Sequence, residues 1–224
     1  MLDFGVIVAN FKFLVVQGLF GLGGFAGGTL RLAIPAIVLG FVLGIFVGLA
    51  RLARSRFVSL PATLYVEFFR GVPLVMVIFW IWFIIPQLLR LPIPEYGVAL
   101  TAFVIFEAAY FGEIVRAGVQ SVARGQVEAA TALGMTATQT MTWVVLPQAL
   151  RNMVPSLVTQ MIVLFKDTSL ASIIGYVDLT KAAQIVNNRE IKPFELYLFI
   201  AVVYFVLTYS MSLFARRFER RLAS

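Results

Sequence analysis

The chain contains no cysteine and no histidine among its 224 residues. That removes disulfides, thiolate nucleophiles, imidazole bases and the usual zinc ligand sets. Charge is scarce as well: Asp, Glu, Lys and Arg make up 13% of the sequence, about half the share in a soluble domain. With 61% hydrophobic residues there is too little polar surface to cover a soluble globule, so the expected solvent is a bilayer. No Gly-x-x-x-x-Gly-Lys-Ser/Thr stretch occurs, so the phosphate-cradling loop of an ATPase is missing. No EF-hand-like spacing of carboxylates occurs either, which argues against metal and covalent catalysis. The first residues, MLDFGVIVANFKF, carry Asp3 and no basic leader, and do not read as a cleaved signal peptide.

What the sequence does have is long apolar runs. A spanning helix needs roughly 20 mostly apolar residues. Five segments qualify: Ala33–Ala50, Val72–Leu89, Tyr96–Ile114, Val154–Tyr176 and Leu196–Ala215. The net charge of +7 is gathered in the loops between them rather than on a face interleaved with base-reading groups, which excludes a nucleic-acid footprint. With five spans, one side carries Arg51, Arg54, Arg56, Arg116, Arg124, Arg151, Arg216, Arg217, Arg220 and Arg221. The other carries Lys12, Arg31, Arg90, Lys181, Arg189 and Lys192, while Arg70 and Lys166 fall inside or at the edge of spans. Ten against six puts the first side, and with it the C-terminus, in the cytoplasm. The expected architecture is an all-α integral membrane bundle in the inner (cytoplasmic) membrane.

Residues 1–29 stand apart from 30–224. Phe4–Phe20 is apolar but carries Lys12, and a glycine-rich run, Gly18–Gly28, follows. A lysine in mid-span is costly without a partner, so this segment is expected to lie in the outer interface or to be partly inserted; a sixth span is the alternative. In the first span Gly40, Gly44 and Gly48 recur every four residues. Small residues at that spacing let backbones approach closely, here a neighbouring helix of the same chain or another subunit.

The most informative stretch is polar and lies between the third and fourth spans, at 117–147. It holds Glu128-Ala129-Ala130, then Gly134 after three residues, then Val144, Leu146 and Pro147 after nine more. In these positions the chain resembles the ABC importer permeases, whose signature is EAA, three residues, Gly, nine residues, an aliphatic residue, any residue, and Leu-Pro; Val144 stands where Ile is usual. The residues themselves predict a short helix over 127–133 with small side chains, Ala129, Ala130 and Ala132, ended by Gly134 in the left-handed conformation, and a second helix from Thr136 to Pro147. The resemblance implies that this helix-turn-helix docks into a cleft on an ATPase subunit, with Glu128 as its polar anchor. It implies the fold of a type I ABC importer transmembrane domain over about Leu30 to the C-terminus.

Further pieces, YVEFFRGVPLVM from Tyr65, FEAAYFGEIVRAGVQSVARGQ from Phe106 and LFKDTSLASIIG from Leu164, are similar to the polar amino-acid branch of these permeases, most of all to glutamate/aspartate importer permeases; relatives carrying cationic or neutral amino acids are close. The implied partners are an ABC ATPase dimer, a periplasmic substrate-binding protein and a second permease subunit, a homologous chain or a copy of this one. This chain is then not an enzyme and binds no cofactor; ATP and Mg belong to the ATPase.

Ionisable groups at membrane depth are costly unless paired or lining water, which marks candidates for the substrate pathway. Glu67 and Arg70 lie three apart and share a helix face; they either pair with each other, or Arg70 meets a substrate carboxylate, which a guanidinium fork suits. Gly71 and Pro73 then interrupt the helix. Lys166, Asp167, Thr168 and Ser169 sit in mid-span, and three of them are capping types. A break there, with a restart at Leu170, would aim the positive end of a half-helix at the cavity; otherwise Lys166 and Asp167 brace the bundle. Glu107 either contacts the amino group of any amino acid or bonds a Tyr or Ser across the bundle. Two rival classes remain: an ion-coupled secondary transporter, whose usual paired repeats are not visible here, and a non-transporting scaffold, which would leave the EAA spacing accidental.

Overall fold

The computed structural model describes residues 3–21, 27–90 and 92–223, side chains of 89 and 218–223 excepted. Part of the glycine-rich connection, 22–26, and the side chains of Arg220 and Arg221 lie outside these described residues. Helix α1, Gly5–Phe11, continues as a π-helical stretch, Lys12–Leu19. Then come α2 Thr29–Arg51, α3 Arg56–Gly71, α4 Leu74–Leu89 and α5 Glu95–Gln120. A short α6, Arg124–Ala132, precedes a continuous helical rod made of α7 Ala137–Gln139, a π stretch Thr140–Val145, α8 Leu146–Asp167 and a 3-10 stretch Thr168–Ile174. Helices α9, Leu179–Glu190, and α10, Pro193–Ala223, complete the chain.

Among the described residues four helices are long and apolar enough to cross a membrane: Thr29–Arg51, Glu95–Gln120, Ala137–Ile174 and Pro193–Arg217. Helices α3 and α4 make a fifth crossing if counted as one broken span, bent by 105°. The bend has a local cause: Pro73 supplies no N–H to continue the ladder of α3, and Val72 before it is extended at φ −112°, ψ 148°.

Helix α5 is the central post. Its inward stripes alternate small and large residues (Ala99, Ala102, Ala108 and Ala109 against Phe103, Phe106 and Phe111), all buried. The small residues let α2 seat against it, and Gly40, Gly44 and Gly48 are the buried glycines on the facing side of α2. The two-helix reading of that glycine stripe resolves in favour of a neighbour within the same chain.

The N-terminal helix is no full span. Its 15 residues, Gly5–Leu19, fall short of the length a ~30 Å core requires. Val6 and Leu14 pack with Leu179, Ala183, Val186 and Leu196 of α9 and α10, and Lys12 points outward, exposed. A polar node closes this corner. Thr29 Oγ1 donates to Gly18 O at 3.2 Å and accepts from the Leu179 N–H at 3.1 Å. Asp178, buried, caps α9 by accepting from the N–H groups of Thr180 and Lys181, and Tyr204 Oη donates to it at 3.2 Å.

Candidate functional site

Besides the Thr29–Asp178 node, two further groups of polar side chains stand out among the described residues. The first gathers around Tyr110, on α5. The Arg70 guanidinium stands 5.8 Å over the Tyr110 ring, and Glu107 and Asp167 lie within electrostatic reach of the same ring. Glu107 is fully buried; Gln160 Nε2, on α8, donates to its Oε2 at 2.9 Å, while among the described residues Oε1 has no hydrogen-bond partner. Arg70 remains exposed, one residue ahead of the Gly71–Pro73 bend. One cation and two carboxyl groups thus border a single aromatic ring.

The expected Glu67–Arg70 pair does not form. Glu67 turns to Arg51 instead, at 3.5 Å, with a largely exposed side chain. Arg51 also pairs with Glu113, and Arg116 forks onto Glu113, its Nε–H donating at 3.0 Å. One turn below, Arg116 donates to Gln120, and Asn152 Nδ2 donates to Ser121 Oγ at 2.8 Å, tying the end of α5 to α8. Arg51 outcompetes Arg70 because it comes from α2 across the seam with α5, where a second carboxylate is already waiting.

The expected break at 167–168 is absent too. The helix tightens from α to 3-10 at Thr168 without releasing its amides, and the Thr168 hydroxyl, buried, donates back to Phe165 O at 2.7 Å. A threonine that satisfies a carbonyl of the preceding turn is not capping the next one, so no second half-helix presents a positive end here. The rod stops only at Gly175, at φ +92°. Lys166 is exposed and Ser169 half-buried.

At the other end of the molecule, α6 stands out from the bundle. It starts at Arg124, three residues ahead of the expected 127, and ends in a Schellman turn: Met135 N–H to Ala130 O at 3.1 Å and Gly134 N–H to Thr131 O at 2.9 Å, with Gly134 at φ +77°. Thr136 and Gln139 then form a capping box that starts the rod. Glu128, Ala129 and Leu133 are exposed, and only Ala130 is buried, against the π stretch. The second helix does not finish at Pro147. Leu146 and Pro147 sit where the π stretch passes into α8, and the helix runs on to Asp167.

A family model described as "Binding-protein-dependent transport system inner membrane component" matches residues 40–224. The chain belongs to that family. This permease is 43% identical over 202 residues to the glutamate/aspartate import permease protein GltK of Escherichia coli O157:H7, covering 87% of this chain and 90% of that one. It is 42% identical over 197 residues to the probable glutamine ABC transporter permease protein GlnP of Bacillus subtilis, covering 86% and 89%. Among solved structures it is similar to an amino acid ABC transporter crystallised with histidines, at a TM-score of 0.91 and 35% identity over 99% of both chains. The methionine ABC transporter MetNI, at a TM-score of 0.77 and 20% identity over 93% and 96%, shares the fold.

Within the permease, Arg70, Glu107 and Asp167 each border Tyr110, and Glu67 lies in the Arg51–Glu113–Arg116 cluster. Sequence reasoning missed Gln160, a neutral residue with no charge to flag it, and missed Arg51 as a partner. The Glu113 and Arg116 pairing was legible from their i, i+3 spacing.

Proposed function

We propose that this permease is the membrane-spanning subunit of an ATP-driven amino-acid importer and carries glutamate or aspartate. Its partners are an ATPase dimer that binds ATP and Mg, a periplasmic substrate-binding protein and a second permease subunit, either a homologue or a copy of itself. The observation that carries this reading is α6: a capped, exposed helix bearing Glu128, Ala129, Ala130 and Gly134 at the EAA offsets, with Leu146 and Pro147 opening the rod that leads from it into the bundle. In this reading the 117–147 segment lies in the cytoplasm, as does the C-terminus, and Glu128 anchors the ATPase joint. Residues 30–224 form the transport domain, and 1–29 an outer brace with a partly inserted helix.

The substrate pathway runs past Arg70, Glu107 and Asp167, with Lys166, Thr168 and Ser169 bordering it and Glu67 at its cytoplasmic end. Arg70 meets a carboxylate and Glu107 the amino group. The 43% identity to a glutamate/aspartate permease favours an anionic substrate; the 42% identity to a probable glutamine permease supports glutamine as the second reading.

The test is uptake into proteoliposomes holding the permease with its ATPase and binding protein. ATP-dependent accumulation of labelled glutamate, suppressed by excess aspartate more than by excess glutamine, is the expected result. Glutamine winning that competition would move the substrate to the second reading, uptake driven by an ion gradient without ATP would make the chain a secondary transporter, and no uptake under any condition would make it a scaffold.

A further inference from the structure

Helix α6 does not close flush against the rod that follows it. A cavity of about 400 Å³ lies at their junction, within the ~300–1,000 Å³ range of ligand pockets. Its walls are mostly apolar: Val119 and Val122 at the end of α5, Val127 on α6, Met141 and Val145 on the π stretch. Two polar groups interrupt them. Arg54, from the turn between α2 and α3, is exposed and lines the same cavity. Thr140 is 5% exposed, and its Oγ1 has no hydrogen-bond partner among the described residues. A buried hydroxyl left unpaired is costly. Thr168, also buried, donates back to the preceding turn; Thr140 does not.

The cavity lies near the edge of the membrane. Arg54 comes three residues after Arg51, the last residue of the α2 crossing. Helix α3 begins two residues later, with Phe57, Leu60 and Leu64 exposed along one face. An arginine between the end of a crossing and an amphipathic helix stands at the depth of lipid headgroups. Arg51 is held by Glu67 and Glu113, whereas Arg54 and Arg56 have no ion-pair partner among the described residues.

We propose that this cavity holds an anionic phospholipid of the cytoplasmic leaflet. Its three parts have three counterparts on the protein. Arg54 meets the phosphate, the Thr140 hydroxyl donates to an ester carbonyl, and the valines take an acyl chain. The inference rests on the transport reading given above for the side of the membrane on which α6 lies.

The experiment uses the assembled transporter in phosphatidylcholine nanodiscs doped with phosphatidylglycerol that carries a diazirine in one acyl chain. After irradiation, labelled peptides are mapped by mass spectrometry. Labelling is expected on 119–122 and 141–145. It should fall at least about tenfold in Arg54→Gln, which removes the charged partner, and about threefold in Thr140→Val, which keeps the shape and removes the hydroxyl. Ala137→Phe, which fills the cavity from the exposed first residue of α7, should abolish it. Arg217→Gln, the same charge lost from α10, should leave it unchanged. Wild-type labelling in Arg54→Gln or Thr140→Val would overturn the proposal. So would a phosphatidylcholine probe that labels these peptides equally, or an equal loss in Arg217→Gln, which would mark a diffuse charge effect. Labelling seen only after the ATPase is stripped away would give the cavity to the ATPase and overturn it as well. The transport reading fails separately: Leu133→Cys, in a chain with no other cysteine, reacting with an impermeant maleimide from outside intact cells would put α6 on the wrong side.

Discussion

Substituting Gly44 with alanine tests the seam on which the bundle is built. A Cβ there would lie 2.5 Å from Phe111 Cβ, 3.1 Å from Gly112 N and 3.2 Å from Ala108 O. Carbon atoms pack at ~3.5–4.0 Å, and two of these three neighbours are backbone atoms while the third is bonded to backbone, so no rotamer change relieves the clash; α2 or α5 must move. At Gly48 the nearest atoms are Gly112 O at 2.7 Å and Val115 Cβ at 2.8 Å, whereas at Gly40 the nearest is Glu107 Cβ at 3.2 Å. Overpacking of this kind costs about 1–3 kcal/mol, and alanine returns at most about 1 kcal/mol of helix propensity over glycine. The net expectation is a loss of about 1–2 kcal/mol at Gly44 and Gly48 and a value near zero at Gly40. Gly125 on α6, with nothing within 4 Å of an added Cβ, serves as the control that should lose nothing. The assay is thermal unfolding of the detergent-purified permease, followed by loss of the monodisperse peak on size exclusion. Gly44→Ala melting with wild type, or Gly40→Ala emerging as the worst of the three, would refute the packing argument.

Three further outcomes are expected. Gly134→Ala, forced into φ +77°, should strain the end of α6 by roughly 1–2 kcal/mol, and together with Glu128→Arg should leave ATP hydrolysis running while uptake falls in reconstituted vesicles. Uptake unchanged in both would remove α6 from the coupling role. Arg70→Ala and Lys166→Ala should reduce transport of glutamate more than of glutamine if the substrate is anionic, with initial uptake rates as the measurement; an equal loss for both would make the two residues structural. Burial raises the Asp178 carboxyl to about 6. The folded protein therefore keeps a proton that the unfolded chain has released, and stability falls as pH rises from about 4 to about 6, then levels off. Asp178→Asn should flatten melting temperature against pH across that window, and a slope that persists in the variant would place its origin elsewhere.

The spans were legible because membrane crossing sets a length and an apolarity that few other structures demand. Even so, the second of the five, Val72–Leu89, covers only α4, which follows α3 across a 105° bend, and only the Gly71–Pro73 spacing hinted at it. The glycine ending α6 was legible because a left-handed helix end is taken without a Cβ penalty only by glycine. Pairings were less so. Spacing says that Glu67 and Arg70 share a face, but not that Arg51 approaches from another helix with Glu113 already beside it. Thr168 could cap forward or bond backward, and sequence does not distinguish the two; packing on the preceding turn does. Gln160 drew no notice because it is neutral, yet its place beside Glu107 is fixed by the α5–α8 contact, a distance of 53 residues along the chain.

The unbroken rod from Ala137 to Ile174 has a mechanical consequence. It extends on the order of 55 Å, with π and 3-10 stretches and Pro155 inside it, and a glycine in the left-handed region stands just beyond each end, Gly134 and Gly175. A helix that runs on between two such turns can tilt as one piece. Pushing its lower tip through a few degrees would swing the upper tip by roughly 5 Å, and the residues beside Tyr110, partway along, would move in proportion and in phase with both.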